Sequence, residues 1–140
     1  MSQSNEPGLG IGSATYDAVG KADGVGSLID AFYTLMEKDK KFVTIWTMHQ
    51  RSGAEARDRL ARFLSAWMGG PRTYSETYGP INIPGVHGHL DIGVTERDLW
   101  LECMNEAMIE RGMPETLRRY LNQQLSVPAN RIVERCAKAK

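Results

Sequence analysis

The sequence is poor in cysteine and has no excess of charge of either sign. Its 140 residues include two cysteines, 17 basic and 17 acidic side chains, so the formal net charge is zero. The two widely separated cysteines, Cys103 and Cys136, make neither a disulfide framework nor a CxxC metal motif, which predicts free, inert thiols in a reduced, cytoplasmic protein. The balanced charge disfavours a nucleic-acid partner, because phosphate binders usually carry a basic surplus.

Long apolar runs are also missing. None approaches the roughly 20 residues that a membrane helix needs, and the N-terminus lacks a basic start followed by an apolar stretch. We therefore expect neither a membrane partner nor a secretory signal. The remaining composition, 41% hydrophobic and 24% charged, is typical of a globular chain. The length predicts one domain over residues 15–140, preceded by a polar, glycine-rich and flexible tail over residues 1–14.

Amphipathic patterns predict at least two helices in the first half of the chain. Apolar side chains recur at helical spacing from about residue 23 to residue 38, and Asp23 is a plausible N-cap. A second helix is expected to begin near Ser52, where Ser52-Gly53-Ala54-Glu55 matches a capping box. Gly69-Gly70-Pro71 should end that helix, because glycine adopts the left-handed cap and proline cannot continue a helix.

The second half of the chain predicts two more helices. One is expected to begin at Thr95, with Thr95 and Asp98 as a capping pair, and to end at Gly112. The next should begin at Pro114 and should be broken or kinked at Pro128. No convincing alternating strand is present, so the chain is predicted to be all-α, either a helix bundle or a small globin.

The segment between the second and third predicted helices is rich in glycine and proline, which excludes a long helix there. A segment of this length in a compact domain is often functional. It contains His87 and His89, whose neutral imidazoles are good ligands for iron or zinc. Two alternatives are that both are solvent-exposed loop histidines, or that they form a zinc site with His49 and a cysteine. The zinc site is the weaker hypothesis, because tightly paired ligand spacings are absent.

Several stretches, in consistent order over roughly residues 15 to 111, resemble the group II truncated haemoglobins. The Gly-Gly-Pro stop and the run that begins at Glu96 are specific for this family when they occur together. The matching stretches are Tyr16-Asp17-Ala18-Val19-Gly20, Phe32-Tyr33, Phe63-Leu64, Gly69-Gly70-Pro71-Arg72-Thr73-Tyr74, His87, Ile92-Gly93 and Glu96-Arg97-Asp98-Leu99-Trp100-Leu101-Glu102-Cys103-Met104.

The resemblance implies a two-over-two helical sandwich around haem b, with His87 as the proximal iron ligand. It implies that Tyr33, His49 and Trp100, which lies 13 residues after His87, stabilise the diatomic ligand. Ala56 falls where many other globins carry a distal histidine, and Arg59 and Tyr74 fall where relatives reach a haem propionate. The cofactor contacts that the resemblance implies are Phe32, Ala56, Arg59, Leu60, Phe63, Tyr74, Val86, Ile92 and Met104.

The chain departs from the family pattern at two places. Gly20-Lys21 stands where relatives have two glycines, which predicts an altered early bend. Val86 occupies the stretch where many relatives carry an arginine before the proximal histidine, so His89 and Arg72 are the candidates to replace that propionate anchor.

The resemblance implies reversible binding of dioxygen and other small diatomic ligands. One alternative is haem-dependent detoxification of nitric oxide or peroxide, which would need an external reductase because the chain carries no flavin domain. Another is a helical interaction module without haem, and that alternative predicts no Soret band after haem is added.

Overall fold

The computed structural model describes residues 9–52, 54–79 and 92–138. Within those ranges the chain forms seven α-helices and one 3₁₀ turn, and it contains no strand. The elements are α1 (Ala14–Val19), α2 (Lys21–Lys38), a 3₁₀ turn (Lys40–Phe42), α3 (Val43–Ser52), α4 (Ala54–Trp67), α5 (Thr73–Tyr78), α6 (Val94–Glu110) and α7 (Glu115–Lys138).

Two helix pairs make up the body of the fold. α2 packs on α4, α6 packs on α7, and the most extensive contact between the pairs joins α2 to α6. The predicted apolar stripe of α2 supplies its share of the core through Val25, Leu28, Ile29, Phe32 and Met36, all buried. Burial of such a stripe is the main source of helix stability in a globular protein. The all-α, two-over-two prediction is confirmed.

The start of the domain differs from the prediction. α1 was not predicted, because its six residues bury only Thr15 and Val19 and show too short a periodicity to detect. α2 begins at Lys21 rather than at Asp23, which lies in its first turn and is not the N-cap. Gly20 and Lys21 both adopt positive φ angles, +111° and +59°, so a lysine takes a backbone conformation that favours glycine. The predicted change of the early bend relative to the family therefore remains a prediction.

Close packing explains the end of α4. The Tyr16 backbone N–H donates to the Met68 carbonyl oxygen at 3.0 Å, which brings α1 against the last turn of α4. A Cβ atom added to Gly70 would lie 2.5 Å from Cδ1 of Tyr16. Gly70 therefore admits the Tyr16 ring, and Gly69, at φ +92°, takes the left-handed conformation predicted at the end of the helix. The segment after it is not wholly irregular, because the short helix α5 follows at once.

The helix boundaries in the second half also correct the sequence analysis. α6 begins at Val94 with Gly93 as its N-cap, and the Glu96 carboxylate accepts a 2.7 Å hydrogen bond from the Gly93 N–H. The predicted cap by Thr95 and Asp98 is wrong. A break or a kink was predicted at Pro128. α7 continues through Pro128 to Lys138, so the break is wrong. Buried side chains on both sides of the proline, Leu125 and Cys136, hold the helix together across the missing hydrogen bond.

None of the helices in the described ranges has the length and apolar character that a membrane span requires. Residues 1–8 of the predicted flexible tail, and the whole segment 80–91 with His87 and His89, lie outside the described residues. The tail and the domain limits remain predictions.

Candidate functional site

An aromatic cluster joins α2 to α6 at the centre of the fold. The Phe32 ring meets the Tyr33 ring edge to face at a centroid distance of 5.4 Å, and it meets the Trp100 ring in the same manner at 5.2 Å. Phe32 is fully buried and Tyr33 nearly so, whereas Trp100 is half-buried. The structure therefore brings two of the three predicted ligand-stabilising residues onto one phenyl ring, although they are far apart in the sequence.

The Tyr33 hydroxyl lies in the interior. Its oxygen is shielded from solvent, and burial raises the pKa of Tyr33 to about 12 because the phenolate would lose hydration. On α4, Arg57 places its guanidinium carbon 5.1 Å from the centroid of the Tyr33 ring and forms an ion pair with Asp30 of α2. Tyr33 is thus a neutral hydrogen-bond donor at ordinary pH, and a cation lies over its ring.

The α6 wall of the cluster is apolar. Cys103 and Met104 are fully buried, and the Cys103 thiol donates a 3.4 Å hydrogen bond to the Phe32 carbonyl oxygen. Burial raises the pKa of Cys103 to about 12, so the thiol stays protonated and unreactive. Both cysteines are free, as the sequence predicts, and the structure shows that both are buried.

A second, polar cluster lies where α4 meets α5. Arg59 donates a 3.0 Å hydrogen bond from Nη1 to the hydroxyl of Tyr74, and its guanidinium carbon lies 4.1 Å from the ring centroid of Tyr78. Tyr74 is buried, and Arg59 is half-buried. A half-buried guanidinium held between two aromatic rings is suited to binding a carboxylate, because its donors are already oriented.

A hydrogen-bonded brace supports this corner from outside. The Tyr78 hydroxyl donates to Oδ2 of Asp58 at 2.5 Å, and Nε of Arg62 donates to the same oxygen at 2.9 Å. Arg62 also reaches the Thr73 carbonyl oxygen at 3.4 Å. The bond from Tyr78 is the main reason that the pKa of Asp58 is lowered. These hydrogen bonds tie α5 to α4.

An open pocket of about 390 Å³ runs along the same corner. The Phe63 and Trp67 rings stack there at a centroid distance of 6.3 Å and form an apolar floor. Arg72 and Tyr74 contribute polar groups to the lining, which Ala66 and Ser75 complete. An apolar surface with a cationic edge fits a flat apolar ring that carries carboxylates.

Comparisons with known proteins agree with this geometry. The model of the family described as "Bacterial-like globin" matches residues 14–133. The chain belongs to the bacterial-like globin family. The group 2 truncated haemoglobin YjbI of Bacillus subtilis is 27% identical over 86% of this chain and 89% of that protein.

Two solved structures show the same fold. The group II 2-on-2 haemoglobin of Agrobacterium tumefaciens is 26% identical, with a TM-score of 0.79 over 93% of this chain and 97% of that one. The truncated oxygen-avid haemoglobin of B. subtilis is 27% identical, with a TM-score of 0.73 over 85% and 98% of the two chains. This membership implies a haem cofactor and small gaseous ligands, and the similarity to group II truncated haemoglobins is confirmed.

The remaining predicted haem contacts of this globin divide into two groups. The first group is described by the structure. Four of its members belong to the central core or pack against it: Phe32, Leu60, Phe63 and Met104. Tyr74 is buried at the α4–α5 corner, and Ile92 is half-buried just before α6. Val86, His87 and the side chains of His49 and Ala56 lie outside the described residues. The roles of both groups remain predictions. Within the described side chains, no cluster of three or more His, Cys, Asp or Glu residues could hold a metal ion.

Sequence reasoning missed several residues of this globin's site. Arg57, Asp58, Arg62 and Tyr78 were not singled out, although Asp58 and Arg62 stand at the i, i+4 spacing that favours an ion pair on one helix. Trp67 was not singled out either, although it lines the pocket. No local signal could have found the contact of Arg57 with Tyr33, because it depends on how α4 packs on α2.

Proposed function

We propose that this globin reversibly binds dioxygen and other small diatomic ligands, using haem b held by His87. The observation that supports this most directly is the buried hydroxyl of Tyr33, which sits in a cluster with Phe32 and Trp100. The description of the B. subtilis relative as oxygen-avid is consistent with it. When bound, haem supplies the iron to which the diatomic ligand attaches.

The distal residues act as hydrogen-bond donors. Tyr33 offers an O–H and Trp100 an N–H, and His49 offers an N–H from one ring nitrogen. Dioxygen accepts such bonds once it carries partial negative charge, and donors that are fixed beforehand stabilise that charge without reorganisation. Because the Tyr33 hydroxyl is buried, its hydrogen bond competes with little water and is expected to slow ligand release.

The other residues hold the cofactor in place. Arg59 and Tyr74 would bind a propionate at the α4–α5 corner, where their mutual hydrogen bond already fixes both side chains. Leu60, Phe63 and Met104 would pack on the apolar faces of the ring, together with Phe32 and Ile92. Val86 and Ala56 are assigned to the same contact set by position, and Arg72, at the pocket edge, is the described candidate for the second propionate.

The decisive experiment is to add hemin to the purified protein and to record the absorption spectrum in the oxidised and reduced states. The expected result is a Soret band that saturates at one haem per chain and shifts when dioxygen is added to the reduced protein. In His87→Ala, stable haem binding should be lost or the spectrum should show different ligation. A protein that stays colourless with hemin would overturn the proposal, and a wild-type spectrum in His87→Ala would remove that residue as the iron ligand.

The donor roles are tested by the rate of dioxygen dissociation in Tyr33→Phe and Trp100→Phe. A hydrogen bond of this kind contributes on the order of 1 kcal/mol, so each variant should release dioxygen about fivefold faster. Tyr120→Phe, on α7, is the matched control and should release dioxygen at the wild-type rate. Unchanged rates in both site variants would refute the donor assignment.

A further inference from the structure

We propose that Arg57, anchored by Asp30, is a positioning residue for Tyr33: it holds the tyrosine ring in place and strengthens its hydroxyl as a hydrogen-bond donor. The inference rests on the proposed function, since it assigns a second residue to the same distal site. Arg57 does not contact the diatomic ligand in this proposal, and it acts only through the Tyr33 ring.

The geometry places Arg57 between solvent and the ring. Its guanidinium carbon is 5.1 Å from the Tyr33 centroid, within the distance at which a cation is attracted to an aromatic face. The Phe32 edge meets the same ring at 5.4 Å, so the ring is held by two neighbours. Tyr33 is only 8% exposed, whereas the Arg57 side chain is 47% exposed. Arg57 therefore covers a ring that belongs to the core.

Asp30 explains why Arg57 stays in that place. Asp30 precedes Tyr33 by three residues on α2, so the two side chains project from neighbouring positions on the helix surface. The Asp30 carboxylate forms the ion pair with Arg57 and thereby links α4 to α2 directly above Tyr33. The neighbouring arginines of α4 make different contacts, because Arg59 and Arg62 both reach α5.

A cation in this position improves the phenol as a donor. Burial raises the pKa of Tyr33 and so opposes its ionisation. A positive charge over the ring acts in the opposite direction, because it stabilises negative charge on the phenol. A hydroxyl whose oxygen tolerates more negative charge donates a stronger hydrogen bond. The same contact limits rotation of the ring, so the hydroxyl remains aimed at one place.

The first test compares the rates of dioxygen dissociation in Arg57→Met and Arg57→Lys with that of the wild type. Methionine keeps an apolar stem and removes the cation, so release should become about two- to fivefold faster, the range that one partly exposed cation–π contact sets. Lysine restores a charge and should recover part of the loss. Arg119→Met removes an equally charged, ion-paired residue on α7 and serves as the control, with an unchanged rate expected.

The second test repeats Arg57→Met in a Tyr33→Phe background. If Arg57 acts through the tyrosine hydroxyl, the arginine substitution should then have no further effect on the rate, because interacting residues are not additive. The infrared stretching band of the carbon monoxide complex gives a readout apart from release. It should shift in Arg57→Met towards its position in Tyr33→Phe, and it should not shift in Arg119→Met.

The outcomes separate this inference from the proposed function. The role of Arg57 is overturned, and that of Tyr33 stands, if Tyr33→Phe speeds dioxygen release but Arg57→Met does not. The same conclusion follows if Arg57→Met speeds release equally in the wild-type and Tyr33→Phe backgrounds. If Tyr33→Phe itself leaves the rate unchanged, the donor assignment fails and this inference fails with it. A lowered melting temperature in Arg57→Met with no change in the infrared band would show a purely structural role and would also overturn the proposal.

Discussion

Haem retention should depend on Arg59, and the structure indicates by how much. Arg59 is already fixed by its 3.0 Å hydrogen bond to the Tyr74 hydroxyl and by the Tyr78 ring 4.1 Å away, so little side-chain entropy is lost when it binds a carboxylate. Arg59→Met keeps an apolar stem of similar length and removes the charged donors. The expected result is faster loss of haem from the folded protein.

The magnitude follows from the partial burial of Arg59. An exposed ion pair contributes about 0.2–1 kcal/mol, and a hydrogen bond to a charged group in a drier place contributes about 1.5–3 kcal/mol. Arg59 is half-buried, so Arg59→Met is expected to reduce the free energy of haem binding by about 1–2 kcal/mol, between the two cases. That loss corresponds to roughly five- to thirtyfold faster haem dissociation, taking about 1.4 kcal/mol per factor of ten.

The assay is transfer of haem to an excess of apomyoglobin, followed by absorbance. Tyr74→Phe should show a smaller acceleration, because Arg59 remains but loses its hydroxyl partner. Arg119→Met, at an exposed pair on α7, should transfer haem at the wild-type rate. If Arg59→Met and Tyr74→Phe both retain haem as the wild type does, the α4–α5 corner does not bind a propionate and the reasoning is refuted.

Three further predictions follow from the described residues. Because burial raises the pKa of Tyr33 to about 12, its hydroxyl stays protonated, and the dioxygen release rate measured by stopped flow should be constant between about pH 7 and pH 10. Tyr33's contribution to the free energy of unfolding should decline as pH rises from about 10 to about 12. A step in the release rate below pH 10 that disappears in Tyr33→Phe would contradict this. Lys21→Gly should raise the free energy of unfolding by about 0.5–1 kcal/mol in chemical denaturation, because it relieves a positive φ of +59°, whereas Lys21→Ala should give no such gain. Ellman's reagent should label neither Cys103 nor Cys136 in the native protein and both after denaturation, and rapid native labelling would show that the thiols are accessible.

α2 is the clearest example of a helix that could be predicted, because it carries a long apolar stripe. α2 repeats buried residues over its whole length, so its pattern and its burial agree. α3 was missed because it mixes its buried or half-buried side chains, Ile45, Trp46 and Met48, with polar residues over only ten positions. α7 was predicted to break or kink because a proline removes a helical hydrogen bond. The helix does not break, because tertiary packing outweighs that local cost.

The candidate site was predictable where the resemblance supplied whole motifs. Tyr33, Trp100 and Tyr74 were identified from such stretches, and Arg59 from its position in the family. In the structure Tyr33 and Trp100 both pack on Phe32, and Arg59 is hydrogen-bonded to Tyr74. The contact of Arg57 with Tyr33 could not be predicted in this way. This contact joins residues on different helices, because the packing of α4 on α2 places the Arg57 guanidinium over the Tyr33 ring.

α4 connects the two halves of the site through arginines only two positions apart. Residues two positions apart on an α-helix differ by about 200° around its axis. Arg57 and Arg59 therefore project from opposite sides of α4. Arg57 reaches α2 and Tyr33, the proposed distal donor, and Arg59 reaches α5 at the corner proposed to bind a propionate. Ligand release and haem retention are therefore expected to respond separately: Arg57→Met should change the first and Arg59→Met the second. If each substitution changed both rates to the same extent, α4 would be acting as one rigid support, and the division of roles between its two arginines would be wrong.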